Sequence, residues 1–130
     1  MSVTAIGAYG GRQRVLICDD ERHIARLLQV NLERQGHTVV CAFDGGEAVE
    51  RLAEADGLSL PLFDRAVLDA MMPIMDGYEV LKWIRSHNHT KNLWVALMVS
   101  RLPDDDLSER IPYRPDKYLL KPFNPLEVLL

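Results

Sequence analysis

Ala66-Val67-Leu68-Asp69-Ala70-Met71-Met72-Pro73-Ile74-Met75-Asp76-Gly77 is the stretch that decides the reading of this chain. Three apolar residues run without alternation into an aspartate. A short run of that kind suits a strand buried on both faces. Pro73 and Asp76-Gly77 then supply loop and turn chemistry. Val80, Leu81 and Ile84 follow at helical spacing. The order is strand, loop, helix, with a carboxylate at the strand's end.

The same order recurs outward. Upstream, Arg14-Val15-Leu16-Ile17-Cys18 stops at Asp19-Asp20-Glu21. Ile24, Leu27, Leu28 and Leu32 form a helical stripe, and Gly36 stands where a helix C-cap would. His37 to Ala42 reads as a second strand. Asp44-Gly45-Gly46 is a turn, Ala48, Val49 and Leu52 mark a second helix, and Asp56 to Pro61 is a loop. Downstream, Leu93 to Val99 is the longest apolar strand and closes at Ser100. Tyr118-Leu119-Leu120 is a fifth strand, closed by Lys121-Pro122, and Pro125 opens a last helix. Strands alternating with helices predict a parallel sheet covered on both faces.

In such a sheet, ligands bind at the C-terminal ends of the strands. The residues closing the strands are Asp19 and Asp20, Asp69, Ser100 and Lys121. Two unit charges about 4 Å apart interact by roughly 4 kcal/mol at an effective dielectric near 20. Three carboxylates on one edge therefore call for a hard cation, and few oxygen ligands suit Mg²⁺. One carboxylate can then attack phosphorus. The metal and the ammonium would offset charge on the phosphoryl oxygens.

The composition agrees. The chain has 130 residues, 48% hydrophobic and 26% charged, enough for one domain with a core. Its 15 basic and 19 acidic residues give a net charge of -4, with no basic stripe for direct nucleic-acid binding. No run approaches the roughly 18 apolar residues of a membrane helix. Cys18 and Cys41 are too few for a disulfide framework and read as buried free thiols of a cytoplasmic protein.

Three stretches carry a family resemblance: Val15 to Glu21, Val67 to Gly77, and Tyr118-Leu119-Leu120-Lys121-Pro122-Phe123. The chain resembles a bacterial two-component response-regulator receiver domain. The resemblance implies a flavodoxin-like (βα)5 doubly wound parallel sheet of order 2-1-3-4-5. It implies a flexible leader over residues 1–13 and the receiver domain over 14–130. It makes Asp69 the phosphoacceptor for a histidine kinase or phosphotransfer protein. Asp20 is then the direct Mg²⁺ ligand, Asp19 holds the metal through water, and the backbone carbonyl of Met71 completes the set. Ser100 is the switch hydroxyl, Lys121 pairs with the phosphoryl oxygens, and a cis bond is expected before Pro122. Tyr118 is the switch aromatic. The implied function is a phosphoacceptor switch, not a turnover enzyme. The alternative is a degenerate receiver acting as an interaction module without regulated phosphorylation.

Two neighbouring chemistries fit less well. A phosphohydrolase with an aspartyl-phosphate needs a second acid two residues after the nucleophile, where this chain has Met71. A flavin carrier needs a hydroxyl-rich phosphate loop after the first strand, where Asp19-Asp20-Glu21 would repel a phosphate.

The chain also departs from the family pattern. Arg101 stands where a small residue usually follows the switch hydroxyl. It would narrow access for phosphodonors or hold an anion. Pro103, Pro112 and Pro115 confine the fourth helix to about 104–110, because an interior proline costs about 3 kcal/mol. Asp104 to Asp106 read as a helix N-terminus. The fifth helix is short, with Leu126, Leu129 and Leu130 on its apolar side, and this predicts a weak homodimer or a docked partner on that face. His87-Asn88-His89 reads as a solvated loop, His23 and His37 as surface residues, and Trp83 and Trp94 as packing residues.

Overall fold

The computed structural model describes residues 11–54, 62–104 and 113–129. Strand β1 spans Arg14–Cys18, β2 Thr38–Ala42, β3 Arg65–Asp69, β4 Trp94–Val99 and β5 Lys117–Leu120. Helix α1 spans Arg22–Arg34, α2 Gly45–Ala53 and α3 Gly77–Ser86. The five strands form one sheet in the order β2-β1-β3-β4-β5, and every pairing is parallel. The expected architecture is the one observed.

Alternation along the strands divides the core between the two faces. Leu16, Cys18, Ala66, Leu68, Val95, Leu97 and Val99 face α2 and α3, joining Ala48, Leu52, Val80, Leu81 and Ile84. Val15, Ile17, Val67, Ala96, Met98 and Leu119 face the other way, toward Ala25, Leu28 and Leu32 of α1. Truncating a buried leucine of this kind to alanine typically costs about 2–5 kcal/mol.

The helix starts are legible at the atomic level. Asp44 caps α2 by accepting from the Glu47 N–H at 2.7 Å. Asp76 caps α3 in a reciprocal capping box with Glu79, at 2.9 and 3.2 Å. Gly77 is required by contact: a Cβ there would lie 2.3 Å from the carbonyl oxygen of Asp69. The start of α3 thus rests directly on the end of β3.

A second device ties α3 to the far end of the sheet. The Arg85 guanidinium donates to the carbonyls of Lys91, Leu93 and Arg114 and pairs with the Asp116 carboxylate at 3.0 Å. The same carboxylate oxygen accepts from the Val95 N–H at 2.8 Å.

Several expectations are corrected. The last helix is a single 3-10 turn, Pro125–Glu127. Leu126 is 57% exposed, and Val128 and Leu129 are buried against the α1 face instead. Six residues cannot sustain an α-helix alone, so tertiary burial decides which side chains turn inward. His37 is buried, not on the surface, and its Nδ1 accepts from the Gln13 N–H at 3.2 Å. Leu27 is half exposed although it fits the α1 stripe. Cys18 is buried but Cys41 only half-buried, and both are free thiols. His23 is exposed, and His87 stacks on Trp83 with ring centroids 3.9 Å apart. Of the predicted fourth helix only Asp104 belongs to the described residues, so that prediction, the rest of the Asp104 to Asp106 run, and the leader's first ten residues lie outside them. No helix among the described residues is long and apolar enough to cross a membrane.

Candidate functional site

Strand register brings the acids together. Cys18 pairs with Leu68, so the next residues, Asp19 and Asp69, leave the sheet side by side. Asp69 in turn pairs with Met98 of β4. Carboxylate oxygens of Asp19, Asp20 and Asp69 all lie within 4.8 Å of one another. Asp19 and Asp69 are buried and Asp20 is exposed. Lys121, from the end of β5, reaches back over the edge. Its Nζ donates to Asp69 Oδ1 at 3.0 Å and stands 3.8 Å from Asp19 Oδ2. The Lys121–Pro122 peptide is cis.

One ammonium faces three carboxylates, and the electrostatics follow from that count. Burial pushes the Asp19 carboxyl up to about 6, with the Asp69 charge adding to the rise and the Glu21 N–H and Lys121 opposing it. Burial also raises Asp69, against the hydrogen bond and charge of Lys121; Asp20 raises it further, and the Met71 N–H opposes. Burial works against the Lys121 charge, but the Asp69 and Asp19 carboxylates outweigh it and its pKa is raised. Asp19 Oδ1 accepts from the Glu21 N–H at 2.9 Å, whereas Oδ2 is buried with no hydrogen-bond donor. A buried, unsatisfied carboxylate oxygen beside two more carboxylates is the donor set a small hard cation takes. The residues present therefore fit Mg²⁺.

The Asp19 shift has a measurable sign. A carboxyl bound more tightly to its proton in the folded state lowers stability as pH rises. Below about pH 4 it is protonated in both states and costs nothing. Between about 4 and 6 the cost grows, and above 6 it is complete. Without metal, Asp19→Asn is expected to melt above wild type at pH 7.5, by on the order of 1–3 kcal/mol. The gap should close near pH 4. Thermal melts at the two pH values check it, and a gap that widens on acidification contradicts it.

The remaining expected residues sit around this cluster. Ser100 follows β4 and is exposed. Met71 is 71% exposed, and its N–H points to the Asp69 carboxylate. Tyr118 is half-buried against the α3 side of the core, yet its hydroxyl is buried without a partner. An unpaired buried hydroxyl costs about 1–3 kcal/mol. Tyr118→Phe should therefore raise the denaturant midpoint, with the slope unchanged. A fall would mean that the hydroxyl has a partner in solution.

Three contributors escape a reading from sequence alone. Cys18 does more than fill space: its thiol donates to the Asp44 carbonyl at 3.2 Å and lies 3.4 Å from the Met72 sulfur. The Met71 N–H acts through backbone geometry. The Arg85–Asp116 pair joins residues 31 apart. Only the Asp76-x-x-Glu79 capping box had a local signature.

The family described as response regulator receiver domain matches residues 15–130. The chain belongs to the receiver-domain family. It is 38% identical over 117 residues to the alkaline phosphatase synthesis transcriptional regulatory protein PhoP of Bacillus subtilis, covering 89% of this chain and 45% of that protein. It is 33% identical over 117 residues to the transcriptional regulatory protein ResD of Bacillus subtilis, covering 90% of this chain and 45% of that protein. The receiver thus spans about half the length of the curated relatives it matches. Among solved structures, the Vibrio cholerae chemotaxis protein CheY4 superposes with a TM-score of 0.74 at 30% identity, covering 88% of this chain and 91% of that one. The receiver domain of Francisella response regulator 1452 gives a TM-score of 0.73 at 31% identity, covering 90% of each. Receiver domains are regulatory modules of two-component signalling, and the acidic triad of this chain is of the type that holds Mg²⁺ in them.

Proposed function

We propose that this receiver accepts a phosphoryl group on Asp69 from a histidine kinase or phosphotransfer protein in the cytoplasm. Residues 14–130 are its working unit. The observation that carries the reading is the juxtaposition of Asp19, Asp20 and Asp69 with the Lys121 ammonium 3.0 Å from Asp69.

Asp20 and Asp69 would hold Mg²⁺ directly, Asp19 through water, and the Met71 carbonyl would complete the set. The ion supplies charge neutralisation for the phosphoryl oxygens when bound. An Asp69 oxygen forms the new bond to phosphorus as the bond to the donor histidine nitrogen breaks, and the electron pair stays on the imidazole. Lys121 is already aimed at Asp69 and takes a phosphoryl oxygen. Ser100 then donates its hydroxyl to another, and Tyr118 relays that movement to a partner. The possible homodimer depends on a face that includes residues 105–112, which lie outside the described residues.

Acetyl phosphate with Mg²⁺, followed by intact mass, tests the transfer. One phosphoryl adduct per chain is expected, and none without the metal. Metal binding has its own readout. A ligand that binds only the folded state stabilises by RT ln(1 + [L]/Kd), about 2.7 kcal/mol at a hundredfold excess over Kd. Mg²⁺ should raise the melting temperature of wild type, and Asp20→Asn should lose most of that response. A full response in Asp20→Asn would remove Asp20 from the ligand set.

A further inference from the structure

The cavity next to the acid cluster has features that the phosphoacceptor reading does not use. It measures about 290 Å³ and is lined by Ala70 and Met71, the two residues after Asp69, and by Tyr78 and Val99 to Asp104. Met71, Tyr78, Val99, Leu102 and Pro103 make its walls mostly apolar. Arg101 brings its one cation. Among the described residues no hydrogen bond or ion pair engages the Arg101 side chain. The Asp104 carboxylate also borders the cavity but has an interaction of its own. A guanidinium without a partner, beside low-dielectric walls, is a ready site for a planar oxyanion.

We infer that Arg101 and this cavity bind the carboxylate leaving group of a small acyl phosphate donor, making Arg101 a specificity-determining residue for phosphoryl transfer to Asp69. The inference rests on the reading of Asp69 as phosphoacceptor.

The charge balance explains why such a residue matters. Three carboxylates against one lysine repel an incoming acyl phosphate and repel its departing carboxylate as well. In the transfer, an Asp69 oxygen bonds to phosphorus while the phosphorus–oxygen bond to the acyl group breaks. The electron pair leaves on the acyl oxygen, so acetate departs as an anion and needs no proton. Negative charge therefore grows on the leaving carboxylate in the transition state, where a guanidinium is most effective. A nitrogen donor such as phosphoramidate or phosphohistidine leaves as a neutral, protonated nitrogen. Arg101 offers it nothing. The cavity easily accommodates an acetate, whose two oxygens match the guanidinium fork.

Initial rates of adduct formation with acetyl phosphate and with phosphoramidate test this, in Mg²⁺, on wild type, Arg101→Ala and Arg101→Lys. Arg101 is exposed, so both variants are expected to fold, and thermal melts confirm it. Arg101→Ala should lower the acetyl phosphate rate by about tenfold, the effect of one charge-assisted contact, and the phosphoramidate rate by less than about twofold. Arg101→Lys should recover part of the acetyl phosphate rate. Equal losses with both donors, unchanged rates, or faster reaction with both from a cavity opened by truncation would each overturn the inference. If wild type takes up phosphate from neither donor, the phosphoacceptor reading itself fails. If wild type reacts and the donor ratio is the same in Arg101→Ala, only the role of Arg101 fails.

Discussion

Asp69→Asn is expected to carry no phosphoryl adduct under conditions in which wild type takes up one, and to melt above wild type when no metal is added. The first effect is all or none, because an amide oxygen is no nucleophile toward phosphorus at neutral pH, whereas a carboxylate is. The second follows from the local charge. Burial already presses the Asp69 carboxyl toward its neutral form. Asparagine keeps an oxygen that can accept from Lys121 and removes one of three carboxylates that crowd within 4.8 Å. The gain should be on the order of 1 kcal/mol, a few degrees in a domain of this size. Intact mass and metal-free thermal melts read the two effects separately. An adduct that survives the substitution moves the phosphoacceptor to another residue. A lower melting point would mean that the Lys121 pair outweighs the repulsion.

Gly77→Val is expected to cost at least about 3 kcal/mol and to impair phosphoryl uptake at the same time. A Cβ at this position would lie 2.3 Å from the Asp69 carbonyl oxygen and 2.9 Å from the Ala70 Cα. Both are backbone atoms, so no side chain can swing aside. Either α3 lifts from the end of β3 or Asp69 moves from the acid cluster. Domains typically have about 5–15 kcal/mol of total stability, so the loss is a large fraction. Gly46→Ala is the control: its nearest contact is the Asp44 carboxylate at 3.3 Å, and it should change little. Denaturant unfolding of the two variants settles it. A Gly77→Val protein within about 1 kcal/mol of wild type would show that the helix start yields easily.

These residues also show what a sequence does and does not carry. The site was legible because parallel strands deliver their final residues to one edge, and Asp19, Asp69, Ser100 and Lys121 each close an uninterrupted apolar run. Strand order came from the resemblance, not from the runs, which fix no neighbours. Gly77 was legible as a turn residue, but its tight contact with Asp69 was not, because that distance exists only after α3 has docked. His37 was misread because a polar residue at the start of a β-branched run has no local sign of burial. The final turn was misread because Leu126, Val128 and Leu129 are too few to establish a period. The unpaired Tyr118 hydroxyl and the Arg85–Asp116 pair are tertiary facts with no local signature.

The Arg85 pair has a mechanical consequence. Strand β5 lies at the edge of the sheet and is hydrogen-bonded on one side only, to β4. Near its start, Asp116 is pinned by a guanidinium that also grips three carbonyls around the end of α3. At its other end, Lys121 is held by a single contact to Asp69. A strand fixed at one end and lightly held at the other behaves as a lever with its fulcrum at Asp116. A pull on Lys121 is then converted to tilt, and Tyr118, two residues from the fulcrum, rotates in place while the far end swings. Cutting the fulcrum with Arg85→Ala would turn the same pull into a slide of the whole strand.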